Sequence, residues 1–202
     1  MAKNKTETLD DNSYASDPGK VLLSHRKLRR LRPDLYGVSG WIKALRCRVG
    51  LGWPQRTYIE EQLQYGDSRA AVVVSLSPLL VAAYSDEIDC VAVLRFPREF
   101  ADDYRLSIGS RLLTVNTYAA EGRDRDLIVG PREIGRYYGF HPIIADFISE
   151  DEHGRIDARK REISEEEWAR TRELGKDYLR KRPRVARDGR PVYAGVAAEL
   201  NS

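Results

Sequence analysis

The sequence contains little cysteine and no long uninterrupted hydrophobic run. Its two cysteines, Cys47 and Cys90, stand far apart, which excludes a disulfide-stapled scaffold and any paired-cysteine metal or redox motif. We expect both to be buried or half-buried thiols in a reducing cytosol. The longest apolar run, residues 70–84, is interrupted by serines and by Pro78. It falls short of the roughly 20 apolar residues that a membrane-spanning helix needs.

The motifs of several enzyme classes are also missing. The sequence has no Gly-rich phosphate-binding loop, no HExxH or GxSxG pattern, and no Cys/His spacing typical of a metal site. The first 19 residues lack the apolar stretch of a secretory signal. We therefore predict a cytoplasmic protein without a transmembrane segment, a metal or a cofactor. The missing motifs favour a non-enzymatic function.

Charge is segregated along the chain, although the net charge is only +3. Residues 20–56 carry ten Lys or Arg against one acid, whereas residues 57–154 carry nine Arg against seventeen acids. Arginine outnumbers lysine by 26 to 8, which favours bidentate contacts with phosphate or carboxylate groups. A basic segment therefore precedes an acidic middle segment.

Four regions follow from these patterns. Residues 1–19 are polar and without apolar periodicity, so we predict a disordered tail. Residues 20–56 form a basic helical segment, and residues 57–183 form the core domain. Residues 184–202 are a C-terminal tail that adds an edge strand or stays loose.

The densest apolar stretch, residues 70–97, predicts the centre of a sheet. Its runs AAVVVSL and LLVAAY are apolar on both faces, which indicates central strands covered on both sides. The third run, from Cys90 to Phe96, is predicted to form a hairpin with the second across the turn Ser85–Asp89. With helices before and after these strands, the sequence predicts an α+β fold in which a mostly antiparallel sheet forms a two-layer arrangement with flanking helices.

The strongest helix signal lies near the C-terminus. Ser164 is the predicted N-cap, and Glu167 three residues later completes a capping box. Pro183 ends the helix. Gly175 shares a broad face with Trp168 and Tyr178, which indicates a close approach of another backbone.

The basic segment suggests a binding function. The stretch KVLLSHRKLRRLRPD predicts an amphipathic helix with Val21, Leu28, Leu31 and Leu35 near one face. We expect a binding or adaptor protein whose basic segment contacts nucleic acid or an acidic protein. The alternative is internal, with the basic segment packed against the acidic middle segment. The candidate contact residues are Arg26, Lys27, Arg29, Arg30, Arg46 and Arg48.

A second hypothesis is a small-molecule enzyme, a hydrolase or similar. Its site would be built from loops around Asn116–Glu121 and Tyr137–His141, where function tends to concentrate. The candidate catalytic residues are His141, Glu121 and Tyr118, with His141 as a general base. The spacing identifies no partner acid or nucleophile for His141.

The acidic turn carries a local resemblance. Glu87-Ile88-Asp89, followed by Cys-Val-Ala, resembles the strand entry of restriction-endonuclease-like nucleases. The resemblance implies carboxylates that hold a divalent metal beside the scissile phosphate. That family also places Glu-x-Lys on the next strand, and here that strand reads LLTVNTY, with neither residue.

Overall fold

Helices surround one mixed β-sheet. The computed structural model describes residues 15–37, 55–119, 127–130, 139–151, 153–182 and 185–191. The helices are α1 (His25–Leu31), a short 3-10 helix (Pro33–Tyr36), α2 (Gln55–Tyr65), α3 (Glu99–Asp103), α4 (Ala145–Ile148), α5 (Arg155–Glu162) and α6 (Glu165–Lys181). The strands are β1 (Asp67–Leu76), β2 (Leu79–Ser85), β3 (Cys90–Phe96), β4 (Arg111–Ala119), β5 (Ile128–Val129), β6 (Gly139–Ile144) and β7 (Arg187–Asp188).

The sheet has the strand order β5-β3-β2-β1-β4-β6, and β7 also pairs with β3. The pair β3–β7 is parallel, whereas the other described pairs are antiparallel. The predicted α+β class is confirmed. The prediction of a mostly antiparallel sheet is corrected to a mixed sheet, because β7 returns from the end of α6 to lie along β3.

The strand predictions agree with the structure at the centre of the sheet. The predicted hairpin is confirmed: β2 pairs with β3 in register from Leu79↔Phe96 to Ser85↔Cys90. The first strand begins at Asp67, before the apolar run that predicted it. β1 therefore carries three polar residues, Asp67 to Arg69, ahead of its apolar part.

Both faces of β2 are covered. Leu79, Val81 and Ala83 belong to a large buried cluster that includes residues of α1 and α2. The alternate residues Leu80, Ala82 and Tyr84 belong to a second cluster with two side chains of α6. The prediction of central strands covered on both sides is therefore confirmed, whereas the two-layer arrangement is not.

Helix α6 begins and packs as its sequence predicts. Ser164 is the N-cap, and its side-chain oxygen accepts a hydrogen bond from the Glu167 amide at 3.1 Å. A Cβ atom on Gly175 would lie 2.7 Å from Val74 Cγ1 and 2.8 Å from Ala82 Cβ. The predicted close approach at Gly175 is thus the contact between α6 and the sheet.

The N-terminal segments join the same core. Leu28 and Leu31 of α1 are buried in the large cluster. The helix begins only at His25, because the residues before it pair with other segments of the protein: Leu23 forms a β-bridge with Ser149. The Val21 amide donates to the Leu63 carbonyl at 3.1 Å. Asp17 also pairs with β1, since its carbonyl accepts from the Ser68 amide at 2.9 Å. The predicted boundaries of the four regions stay a prediction, and residues 1–14 lie outside the described part.

In the part of the chain that the structure describes, no helix is both long enough and apolar enough to cross a membrane.

Candidate functional site

Helix α1 presents arginines to solvent. Its N-cap is Ser24, whose side chain accepts from the Lys27 amide at 3.3 Å, and its leucines face the core. Arg26, Arg29 and Arg30 are spaced i, i+3, i+4, so they share the side of the helix that faces away from the core. The side chain of Arg26 is 79% exposed and that of Arg30 is 49% exposed.

Two of these arginines already have carboxylate partners from the acidic middle segment. Arg26 Nε lies 3.0 Å from Glu150 Oε1, and Arg30 forms an ion pair with Asp103. Arg26 and Arg30 therefore pair with the acidic middle segment, as the internal interpretation of the basic segment expects, and both pairs lie at the surface. Exposed ion pairs of this kind contribute little to stability.

Lys27 is different, because its ammonium group turns inward. Its Nζ donates to the carbonyl oxygens of Asp146, at 3.1 Å, and Ser149. Burial lowers the pKa of Lys27, and the Asp146 carboxylate opposes that shift. Lys27 therefore binds the end of α4, whereas the sequence predicts it as a contact for a partner.

Tyr36 brings two arginines together at the end of α1. The guanidinium of Arg29 lies 4.8 Å from the Tyr36 ring centroid, and that of Arg56, from α2, lies 5.4 Å from it. His25 Nδ1 is 2.9 Å from the Tyr36 hydroxyl. Among the described residues, no carboxylate lies within ion-pair distance of either Arg29 or Arg56. We call Arg26, Arg29, Arg30 and Arg56 the arginine face.

Arg56 is the last residue of the predicted basic segment. It is not among the predicted contacts, because no pattern in the sequence connects it with α1. The predicted contacts Arg46 and Arg48 lie outside the described residues.

The alternative enzymatic site is only partly described, since Glu121, Tyr137 and Tyr138 lie outside the described residues. Asn116 is buried, and its Nδ2 donates to the Tyr84 carbonyl at 2.8 Å. The Tyr118 hydroxyl is hydrogen-bonded to Ser85 Oγ at 2.6 Å, and burial raises the pKa of Tyr118. These contacts tie strands together.

His141 does not meet Tyr118. In the β4–β6 register, His141 lies opposite Thr117 and Phe140 lies opposite Tyr118. Because neighbouring residues of a strand point to opposite faces, His141 and Tyr118 lie on opposite faces of the sheet. The structure therefore does not bring these two candidate catalytic side chains together.

The acidic turn holds an ion pair where the nuclease resemblance implies a metal. Asp89 is buried, its Oδ1 accepts from the Tyr84 hydroxyl at 2.9 Å, and its Oδ2 lies 3.0 Å from Arg170 Nη2. Gly130 lies against this pair: a Cβ there would be 2.1 Å from Asp89 Oδ2. In the described ranges, no group of three or more His, Cys, Asp or Glu side chains is arranged to hold a metal ion. The described geometry therefore gives the nuclease interpretation no support.

A polar cluster at the start of β1 was not anticipated. Asp67 and Arg69 lie opposite Asn116 and Thr114 in the β1–β4 register, so the four side chains share a face of the sheet. Asp67 is buried. The only signal in the sequence is the polar stretch Asp67-Ser68-Arg69 directly before an apolar strand.

Comparison with known proteins gives this chain no family: no protein-family model, no curated protein and no solved structure matches it.

Proposed function

We propose that the chain is a non-enzymatic nucleic-acid-binding protein that contacts phosphate groups through the arginine face. The observation that carries this proposal is the pair of guanidinium groups of Arg29 and Arg56, both held against Tyr36 with no carboxylate partner among the described residues. Arginine matches phosphate geometry because its planar group donates two parallel hydrogen bonds.

The ring of Tyr36 supports this role by restricting the two guanidinium groups. A cation held over an aromatic face is attracted to the ring, and an arginine that is already positioned loses less side-chain entropy when it binds. The Tyr36 hydroxyl is engaged by His25, which fixes the orientation of the ring. The guanidinium groups of Arg29 and Arg56 are therefore preorganised for binding a ligand.

Arg26 and Arg30 would add to the same surface. Their partners Glu150 and Asp103 are exposed or half exposed, so a phosphate group competes with them at little cost in desolvation. Phosphate is favoured over a protein carboxylate because a nucleic acid offers closely spaced charges along its backbone. Several neighbouring arginines then bind one strand at once.

The test is a titration of the whole protein into labelled single-stranded RNA and duplex DNA of mixed sequence. Replacing Arg29→Gln and Arg56→Gln together should weaken binding about tenfold or more, since hydrogen bonds to charged groups contribute roughly 1.5–3 kcal/mol each and 1.4 kcal/mol is tenfold. The matched control, Arg172→Gln with Arg180→Gln, removes the same charge from α6 and should bind like the wild type.

Three outcomes would overturn this proposal. The first is that the folded wild-type protein binds neither nucleic acid. The second is that both double variants lose affinity equally. The third is that an acidic peptide binds more tightly than either nucleic acid. The last result would assign the arginine face to an acidic protein partner.

A further inference from the structure

Three carboxylates share one guanidinium at the start of β1. Arg69 Nη1 lies 2.7 Å from Asp17 Oδ2, while Arg69 Nε lies 2.9 Å from Asp67 Oδ2 and 2.5 Å from Asp86 Oδ1. Arg159 of α5 makes a second contact with Asp17, with Nη2 3.1 Å from Oδ1. Two guanidinium groups therefore face three carboxylates, and negative charge is in excess.

Asp67 is the carboxylate with the least access to water. Its side chain is 9% exposed, and its Oδ1 is buried without a hydrogen-bond partner in the described structure. A buried, unpartnered carboxylate oxygen is costly when it is charged. Burial raises the pKa of Asp67 to about 7. The Arg69 charge and a hydrogen bond with the Asp17 backbone oppose this shift, whereas the charges of Asp86 and Asp17 add to it. We therefore expect the Asp67 carboxyl group to titrate near neutral pH while the strap is closed.

The chain segment that covers Asp67 is Asp17–Gly19, which we call the strap. Pro18 forms a β-bridge with Asp67, and the Gly19 amide donates to the Gly66 carbonyl at 3.0 Å. The Asp17 carbonyl accepts from both the amide and the hydroxyl of Ser68, at 2.9 and 2.7 Å. The strap thus lies directly on the residue whose charge is least well compensated.

We propose that Asp67 is a proton-controlled latch for the strap: the strap stays on β1 while Asp67 carries a proton and is released when Asp67 loses it. Ionised Asp67 would add a charge beside Asp17 and Asp86, under a strap that excludes water. Release of the strap would hydrate that charge. Attachment of the N-terminal segment to the sheet then depends on pH.

The direction of the pH dependence follows from the two states of the strap. The closed form binds the Asp67 proton more tightly than the open form, in which the pKa returns toward its ordinary value of 3.8. Closure is therefore fully favoured below about pH 4 with respect to Asp67, and that contribution is lost as pH rises to about 7. Arg69 in particular holds the pKa of Asp17 below its ordinary value, so the strap keeps its own ion pairs across this range.

The surrounding groups act in the same direction or stay constant. Burial raises the pKa of Glu87 and of Glu167, so both gain negative charge as pH rises from acidic values. Burial also raises the pKa of Tyr118, which stays neutral, and the arginines stay charged. The charged and titratable groups that face Asp67 or its immediate partners are Asp17 of the strap, Arg69 of β1, Asp86 and Glu87 of the β2–β3 turn, Tyr118 of β4, Arg159 of α5 and Glu167 of α6.

Amide hydrogen exchange in the full chain tests the latch. The reporters are the Gly19 and Ser68 amides, whose bonds form only with the strap closed. Their protection, corrected for the intrinsic exchange rate at each pH, should fall by up to tenfold per pH unit between about pH 4 and 7 and then level off. In Asp67→Asn, which is neutral at every pH, this fall should become much shallower, and Glu87 and Glu167 account for what remains of it. Parallel pH dependence in the wild type and in Asp67→Asn would overturn the proposal.

A second measurement does not depend on the folding of that variant. A carbon NMR titration of the Asp67 carboxyl in the wild-type chain should show a midpoint near pH 7. Replacing Asp86→Asn should move the midpoint to lower pH, because the Asp86 charge raises the pKa of Asp67. A wild-type midpoint near the ordinary value of 3.8 would remove the basis for the latch.

Discussion

Gly175 lies where α6 comes closest to the sheet, so this position leaves no room for a branched side chain. The neighbouring atoms, Val74 Cγ1 and Ala82 Cβ, are close to their own backbones and cannot move aside as the end of a flexible side chain would. Replacing Gly175→Val should therefore destabilise the protein by about 2 kcal/mol or more through overpacking.

Urea unfolding measures this change as a lower midpoint with an unchanged slope. Lys176→Val is the matched control, because the next residue of α6 is exposed, and a surface substitution usually changes stability by less than about 0.5 kcal/mol. Equal stability of the two variants would show that α6 does not pack closely against the sheet at Gly175.

At the scale of single residues, the sequence predicts roles that depend on local geometry. The spacing of Ser164 and Glu167 predicts the N-cap of α6, and the cap forms. The rest of the capping box differs, because Glu167 Oε1 accepts a hydrogen bond from the Ala70 amide at 2.7 Å. The β1–β2 pairing begins at Ala71, so α6 supplies the partner for the Ala70 amide. A spacing rule contains no information about that distant amide.

Asp67 illustrates the same limit at the candidate sites. Its surroundings are formed by Arg69 beside it, by the strap before it and by Asp86 after β2. Each of these residues looks like an ordinary surface charge in the sequence. Only the folded chain brings them together, so no motif could have indicated that burial raises the pKa of Asp67.

At the scale of elements, the sequence predicts the apolar face of α1 but not the residues that pair with its arginines. The apolar periodicity identifies Leu28 and Leu31 as buried, and the structure agrees. The sequence left open whether the basic residues face solvent or the acidic middle segment. The answer depends on where α1 lies relative to Glu150 and Asp103, which come from distant parts of the chain.

The ion pairs of α1 lead to a prediction about binding strength. Glu150 and Asp103 compete with an incoming phosphate for Arg26 and Arg30, so neutralising both acids should strengthen nucleic-acid binding. For Glu150→Gln with Asp103→Asn we expect about a twofold to fivefold gain in affinity at low salt, and a smaller gain at high salt because surface charges are screened.

The matched control for this prediction is Glu166→Gln with Glu173→Gln, which removes two exposed acids of α6. The affinity of this control should change less than that of the α1 variant. An equal gain in both variants would mean that net charge, and not release of Arg26 and Arg30, governs binding.

At the scale of the whole molecule, the sheet shows what a reading of local patterns can and cannot establish. The apolar runs predict the central strands and the β2–β3 hairpin, because neighbouring strands and their turn are contiguous in sequence. The parallel pairing of β7 with β3 joins Arg187 to Leu94 across much of the chain. β7 consists of two charged residues, so no local apolar pattern predicts its place in the sheet.

The distribution of charge over the whole molecule leads to the most direct test of the proposed function. Nucleic-acid affinity should fall as salt rises, with a slope of log affinity against log salt concentration of about −0.7 for each single-strand phosphate that is neutralised. Four arginines then predict a slope of about −3 for the wild type, and removal of Arg29 and Arg56 should make it shallower by about 1.4. A slope near zero, or an unchanged slope in the Arg29→Gln and Arg56→Gln variant, would contradict nucleic-acid binding through the arginine face.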